Sequence, residues 1–112
     1  MKLRPAGDAL LLDLSGPLGK EGGDAIVRMV EEQSDLPQRL VFNFTRVPIM
    51  NTAGLGGVLW AVRLATRAGR PVFAYGLTDH FRKVFHVMGL TRFVAVVEDE
   101  AAALADGGGA GP

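Results

Sequence analysis

The sequence lacks cysteine, net charge and long hydrophobic runs. Without cysteine there can be no disulfide bond, thiolate nucleophile or cysteine-ligated metal. The 12 Lys and Arg residues balance 12 Asp and Glu residues and are scattered singly, so the concentrated positive charge that binds nucleic acid is missing. The longest apolar stretch, residues 53–62, is far shorter than the roughly 20 residues of a membrane-spanning helix. We therefore expect no nucleic-acid partner and no membrane insertion.

The composition predicts one folded domain. Of the 112 residues, 48% are hydrophobic and 21% are charged, which is typical of a compact protein and not of a disordered one. The N-terminal apolar stretch, residues 9–12, is interrupted by Asp13, so a signal peptide is not predicted and we expect a cytoplasmic protein. We assign residues 1–106 to the domain and residues 107–112, a glycine-rich tail, to disorder.

Hydrophobic periodicity predicts strands alternating with helices. Residues 39–45 alternate Leu40, Phe42 and Phe44 with more polar neighbours, as a strand does. Further strands are predicted at 9–16, 71–75 and 92–97, and helices at 20–33, 52–68, 79–88 and 98–105. This alternation predicts an α/β fold, with a mixed β-sheet of about four to five strands and helices packed against it.

The stretch "NTAGLGG", residues 51–57, predicts a helix start with unusual composition. Asn51 is suited to cap the helix, because its side-chain oxygen can accept a hydrogen bond from a free backbone N–H, and Thr52 and Ala53 then fill the first turn. Each glycine inside a helix costs about 1 kcal/mol relative to alanine. We expect the close approach of another backbone to offset that cost at the three glycines, Gly54, Gly56 and Gly57.

Helical spacing divides this helix into two faces. The face assigned to the sheet contains Leu55, Val58, Leu59, Val62 and Ala65. The opposite face contains Ala53, Gly56, Gly57, Trp60 and Leu64, flanked by Arg63 and Arg67. If exposed, this second face is an apolar patch rimmed by arginines, and Trp and Arg are favoured interface anchors. The alternative is that another helix of the same domain covers Trp60.

No residue pattern indicates catalysis, a metal or a cofactor. His80 and His86 are six positions apart and lie on opposite faces of the predicted helix, unlike a metal-binding pair. No serine lies in a nucleophile elbow, and the glycine-rich junction lacks the Lys-Ser/Thr pair that completes a phosphate-binding loop. We expect a protein that is not an enzyme and has no cofactor.

From Asp8 to about Leu104 the sequence resembles the STAS domain family, the bacterial anti-sigma factor antagonists and their relatives. The resemblance rests on "LSGPL", "LVFNFTRVPIMNTAGLGGVLWAVRLA", "RPVFAYG" and "FRKVFHVMGLTRFVAVVEDEAAAL", in that order and spacing. In members with a phosphorylation switch, the junction reads Asp-Ser-Ser-Gly or Asp-Ser-Thr-Gly, and a partner serine kinase phosphorylates the hydroxyl residue directly before the glycine. Here Ala53 occupies that position, Asn51 replaces the aspartate, and Gly19 stands where an acid typically follows "G-x-L".

The resemblance implies a non-catalytic module that binds an ATP-binding anti-sigma factor and so releases a sigma factor. With Ala53 in place of the phosphorylated residue, the protein would be a constitutive binder, or one regulated by phosphorylation of Thr52. The alternative is a STAS subunit that binds the ATPase of a bacterial ABC lipid-transport system, because such subunits carry sequences resembling Asp-Thr-Ala-Gly-Leu. A homodimer also remains open. The partner-binding residues we predict are Asn51, Thr52, Ala53, Gly56, Gly57, Trp60 and Arg63.

Overall fold

The computed structural model describes residues 1–105, and the predicted tail at 107–112 lies outside the described residues. The elements are β1 (Lys2–Ala6), β2 (Ala9–Ser15), α1 (Lys20–Glu31), β3 (Arg39–Arg46), α2 (Thr52–Arg67), β4 (Val72–Tyr75), α3 (Asp79–Val87), a short 3-10 turn (Leu90–Arg92), β5 (Val94–Val96) and α4 (Glu100–Leu104). The strands form one sheet in the order β1-β2-β3-β4-β5, so the predicted mixed α/β fold is confirmed.

Strand direction places the helices on two faces of the sheet. Strands β2 to β5 are mutually parallel, and β1 pairs antiparallel with β2. Each parallel connection must cross back over the sheet, and it does so through a helix. Residues of α1, α2 and α3 share one buried core with one face of the sheet, whereas Ala103 of α4 belongs to a smaller core on the other face. Because α1, α2 and α3 connect successive neighbouring strands from β2 to β5, α2 lies in the middle of the three-helix layer.

Strand β1 was not predicted from the sequence. Its residues alternate between charged and apolar, and Pro5 stands within it, which argues against a central strand. An edge strand tolerates proline because one row of its backbone groups faces solvent. Only the pairing with β2, from Lys2 opposite Asp13 to Ala6 opposite Ala9, defines it.

The side chains of β3 pack against the helix layer. Leu40, Phe42 and Phe44 are each at most 1% exposed and lie in the main core, as their alternation predicts. The Phe44 ring contacts the edge of Phe85, with centroids 5.7 Å apart, and also that of Phe81, at 6.2 Å. Edge-to-face aromatic pairs of this kind add to the stability from burial, so α3 is anchored directly on the central strand.

Helices α1 and α2 touch through glycine backbones, and this contact corrects one predicted partner-binding residue. Gly57 is buried, and a Cβ built on it would lie 2.5 Å from the Cα of Gly23 in α1. A Cβ on Gly54 would overlap the carbonyl oxygen of Leu18. The expected backbone approach is thus real at these two glycines, but it occurs within the domain. Gly57 cannot reach a partner, whereas Gly56 is exposed and has open space around it.

A polar network joins β1 and α4 on the second face of the sheet. Arg4 pairs with Asp13, with Nε and Oδ2 2.6 Å apart, and also with Glu100. Asn43 donates to Asp13 at 2.9 Å, and the Tyr75 hydroxyl donates to Glu100 at 2.9 Å. The Arg4 guanidinium holds the pKa of both carboxyl groups below the usual range. Their ionised forms therefore stabilise the fold above about pH 4. This contribution to the free energy of unfolding is lost as the pH falls and the carboxyl groups are protonated.

The two neighbouring glycines of α2 provide a matched pair of substitutions. Gly56→Ala should raise the free energy of unfolding by up to about 1 kcal/mol, because alanine is the better helix former and nothing lies within 4 Å of the new Cβ. Gly57→Ala should lower it by about 2 kcal/mol or more, because α1 and α2 must separate. Urea denaturation measures both. Equal effects of the two substitutions would contradict the glycine contact.

Tyr75 is the only tyrosine, so its ionisation can be followed directly by ultraviolet absorbance. Burial, with the hydrogen bond to Glu100, raises its pKa to about 12. Because the folded pKa exceeds the ordinary value of about 10, the neutral phenol stabilises the fold below pH 10, and this is lost as pH rises towards 12. Glu100→Gln should lower the midpoint while leaving it above that of urea-unfolded protein. A midpoint near 10 in the folded wild type would show that the phenol is not buried.

Candidate functional site

Two loops meet beside the first turn of α2, at the carboxyl ends of β2 and β3. Leu18 N–H donates to the Ile49 carbonyl at 2.9 Å, and Asn51 N–H donates to the Leu18 carbonyl at 3.1 Å. A parallel bridge between Leu18 and Met50 continues the sheet pairing beyond the strands. Side chains at the carboxyl ends of parallel strands commonly form binding sites in α/β folds. Here the loops fix the start of α2 relative to the start of α1.

Asn51 caps α2, as predicted. Its backbone is extended, its side-chain oxygen accepts from Gly54 N–H at 3.0 Å, and its carbonyl accepts from Leu55 N–H at 2.9 Å. Thr52 and Ala53 are exposed and follow the cap directly.

The exposed residues Thr52, Ala53 and Gly56 form what we call the N-terminal surface of α2. Arg63 is exposed two turns further along the helix. Trp60 is half-buried and packs against the main core, so only part of the indole is available to a partner. The helix thus presents a small, uncharged surface at its start, and the predicted site residues do not form one continuous exposed face.

Gly19 lies beside Asn51 although the two residues are far apart in the sequence. A Cβ built on Gly19 would be 3.2 Å from the side-chain nitrogen of Asn51. An acidic side chain at position 19 would therefore sit next to residue 51 and to the first turn of α2. In this chain neither position is charged, and Ala53 adds no polar atom.

A cavity of about 270 Å³ opens between the N-terminal ends of α2 and α3. It is lined by Met50, Asn51, Thr52, Leu55, His80, Phe81 and Val84. No residue of α3 was predicted from the sequence to take part in a binding site, so α3 was missed as a wall of this cavity. No sequence signal marked this wall, because helical spacing does not show which apolar residues of a helix line a cavity and which are buried.

The described part of the chain has neither a cluster of metal ligands nor a membrane-spanning helix. Residues 1–105 contain no group of three or more His, Asp or Glu side chains that could hold a metal ion. None of their helices is long and apolar enough to cross a membrane.

The STAS domain model matches residues 1–103, which include both loops and all the walls of the cavity. The chain belongs to the STAS domain family. Its resemblance to this family, suggested by the "NTAGL" junction, is thereby confirmed. No curated protein matches the chain.

Solved STAS structures share the fold of this chain at low sequence identity. Protein TM1081 from Thermotoga maritima is 13% identical, with a TM-score of 0.82 over 92% of this chain and 90% of that one. The phosphorylated Bacillus cell fate determinant SpoIIAA is 22% identical, with a TM-score of 0.73 over 90% and 94%. The STAS domain of a SulP transporter from Vibrio cholerae is 17% identical, with a TM-score of 0.70 over 89% and 81%. These likenesses establish the fold.

The Asn51 cap can be tested by itself. Asn51→Ala should lower the free energy of unfolding by about 1 kcal/mol, because the Gly54 N–H loses its acceptor, whereas Asn51→Asp should keep the cap and stay close to wild type. Chemical denaturation measures the difference. If the alanine and aspartate variants unfold at the same denaturant concentration, the side chain does not cap the helix.

Proposed function

We propose that this STAS domain is a non-catalytic binding module of the cytoplasm that docks an ATP-binding anti-sigma factor and so releases a sigma factor. The observation that carries the proposal is the N-terminal surface of α2. It is exposed and uncharged, and it has alanine at the position phosphorylated in the kinase-regulated relatives. SpoIIAA, an anti-sigma factor antagonist, has the same fold and has been solved in unphosphorylated and phosphorylated forms.

The charge of the N-terminal surface determines whether it can bind the partner. A phosphoryl group adds about −1.5 to −2 charge, which disrupts an interface through repulsion and desolvation. Ala53 has no oxygen to accept a phosphoryl group, and Gly19 and Asn51 add no negative charge beside it. Unless Thr52 is phosphorylated, the N-terminal surface therefore keeps the form that corresponds to the unphosphorylated, binding-competent relatives.

Thr52 is the alternative modification site. Its hydroxyl is exposed at the first helical position of α2, where the helix dipole favours a negative charge. A phosphate there would be tolerated by the fold and would still change the charge of the N-terminal surface.

A catalytic role is less well supported. Thr52 shares its cavity with His80, but no hydrogen bond joins the two side chains in the described structure, and no carboxylate lines the cavity to orient the histidine. A hydroxyl nucleophile needs a base within hydrogen-bond reach, and the base usually needs an orienting group.

The second candidate function is binding of an ABC transporter ATPase. The order Thr52-Ala53-Gly54-Leu55 favours it, because it matches the resemblance to the lipid-transport subunits. Both functions use the same surface and an ATP-binding partner, so only the identity of the partner separates them.

The test is affinity purification of the tagged protein from the cells that produce it, followed by mass spectrometry. Wild type should retain a small kinase-like ATPase, and Thr52→Glu should reduce its recovery at least tenfold by placing a charge on the surface. Thr91→Glu is the matched control, since Thr91 is exposed in the 3-10 turn and does not line the cavity at Thr52. Recovery of a transporter ATPase would refute the sigma-factor function.

The intact mass of the purified bait separates the two modes of regulation. An unmodified bait means a constitutive binder, and the added mass of one phosphate at Thr52 means a displaced switch. Equal loss of the partner in the Thr52 and Thr91 variants would contradict docking at the N-terminal surface.

A further inference from the structure

Helix α2 is packed unequally against its two neighbouring helices. On the α1 side, Gly57 and Gly23 bring the backbones into direct contact. On the α3 side, one cavity lies between α2 and α3, and a second lies between α2 and the segment that follows α3. The first, of about 270 Å³, opens at Thr52 and His80, where both helices begin, and the second, of about 260 Å³, opens at Arg67 and Met88, where both helices end. We call the two cavities together the interhelical groove.

The interhelical groove is lined largely by apolar side chains in its second cavity. Leu59, Val62 and Leu90 line the second cavity together with Met88 and Phe93. Met88 is 50% exposed and Phe93 is 51% exposed. Burying side chains of this size against a partner is energetically favourable. Aromatic residues and methionine are also enriched at interfaces.

The charge along the groove has one sign. Arg63 and Arg67 line the second cavity, and the Arg92 guanidinium lies over the Phe93 ring, 5.8 Å from its centroid. None of these three arginines forms an ion pair in residues 1–105. Neither cavity is lined by a carboxylate. An occupant that complements the groove therefore carries acidic side chains beside an apolar face.

The shape of the groove matches a helix. Its α2 wall runs through Thr52, Leu55, Leu59, Val62 and Thr66, which are three or four residues apart and form one stripe. From Thr52 to Arg67 the helix rises about 22 Å, the length of a helix of roughly 15 residues. Amphipathic helices bind in such grooves through anchors spaced in the same way.

We propose that the interhelical groove binds an acidic amphipathic helix of a partner protein, whose apolar face covers Leu59, Met88 and Phe93 and whose carboxylates pair with Arg63 and Arg67. This inference goes beyond the proposed function and does not depend on which ATPase the N-terminal surface binds. The groove extends the contact area along the whole of α2, where the N-terminal surface alone offers little.

Methionine methyl NMR reports on the groove directly. Met50 lines the first cavity and Met88 the second, whereas Met29 lies on α1 and serves as an internal control. The probe is a synthetic helical peptide of about 16 residues with leucine on one face and glutamate on the other, and the matched peptide carries lysine in place of glutamate. The glutamate peptide should shift the Met50 and Met88 signals and leave Met29 unchanged.

Charge reversal tests the arginines. Arg63→Glu with Arg67→Glu should weaken binding of the glutamate peptide at least tenfold, and should favour the lysine peptide instead. Arg28→Glu with Arg46→Glu is the matched control, because it changes the net charge equally at exposed positions outside the groove. The control pair should keep most of the affinity, and all variants should unfold at the wild-type temperature.

Three outcomes would overturn the proposal. An equal loss of affinity for the glutamate peptide in both double variants would show that the binding is general charge attraction. Equal binding of the two peptides, or a shift at Met29 alone, would place the contact elsewhere. Self-association in sedimentation experiments that the Arg63 and Arg67 changes abolish would make a second copy of this chain the occupant. The first two outcomes leave docking of an ATPase at the N-terminal surface untouched, so the two proposals can fail separately.

Discussion

The backbone contact between Gly57 and Gly23 is the constraint on which the rest of the helix layer depends. A side chain at either glycine would push α1 and α2 apart. Since α2 occupies the middle of the layer, its separation from α1 would also shift it over the sheet and towards α3. The overlap that a Cβ on Gly54 would make with the Leu18 carbonyl extends the same constraint to the loop that begins α1. The position of the first turn of α2 is thus set by three glycine backbones.

This constraint explains why the two sides of α2 differ. Large side chains are excluded from the α1 side, so the apolar residues of α2 face the sheet and the α3 side. Of these, Leu55 and Val62 are buried in the core, and Leu59 is half-buried at the groove. The α1 side is closely packed through glycine backbones, whereas cavities remain on the α3 side.

The sequence was informative where a property is local. The Asn51 cap, the alternation along β3 and the succession of helices and strands from β2 to α4 depend on neighbours in the chain, and all were predicted correctly. Burial of Gly57 was not, because helical spacing reveals that two faces exist and not which neighbouring element covers each. Pairing of Arg4 with Glu100 was beyond reach for the same reason, since 96 positions separate these residues and only the sheet brings them together.

The neutral character of the start of α2 is a property of three separate segments. Gly19 belongs to the loop after β2, Asn51 to the loop after β3, and Ala53 to the helix itself, yet the Leu18 hydrogen bonds bring them to one place. Since none of the three ionises, no protonation change among them can alter binding at neutral pH. Under the proposed function, control then comes from a hydroxyl, of which Thr52 is the one in the first turn, or from the state of the partner. Arg63 and Arg67 lie two turns or more beyond this neutral start, so the positive charge of α2 is confined to its second half, where the helix dipole favours it.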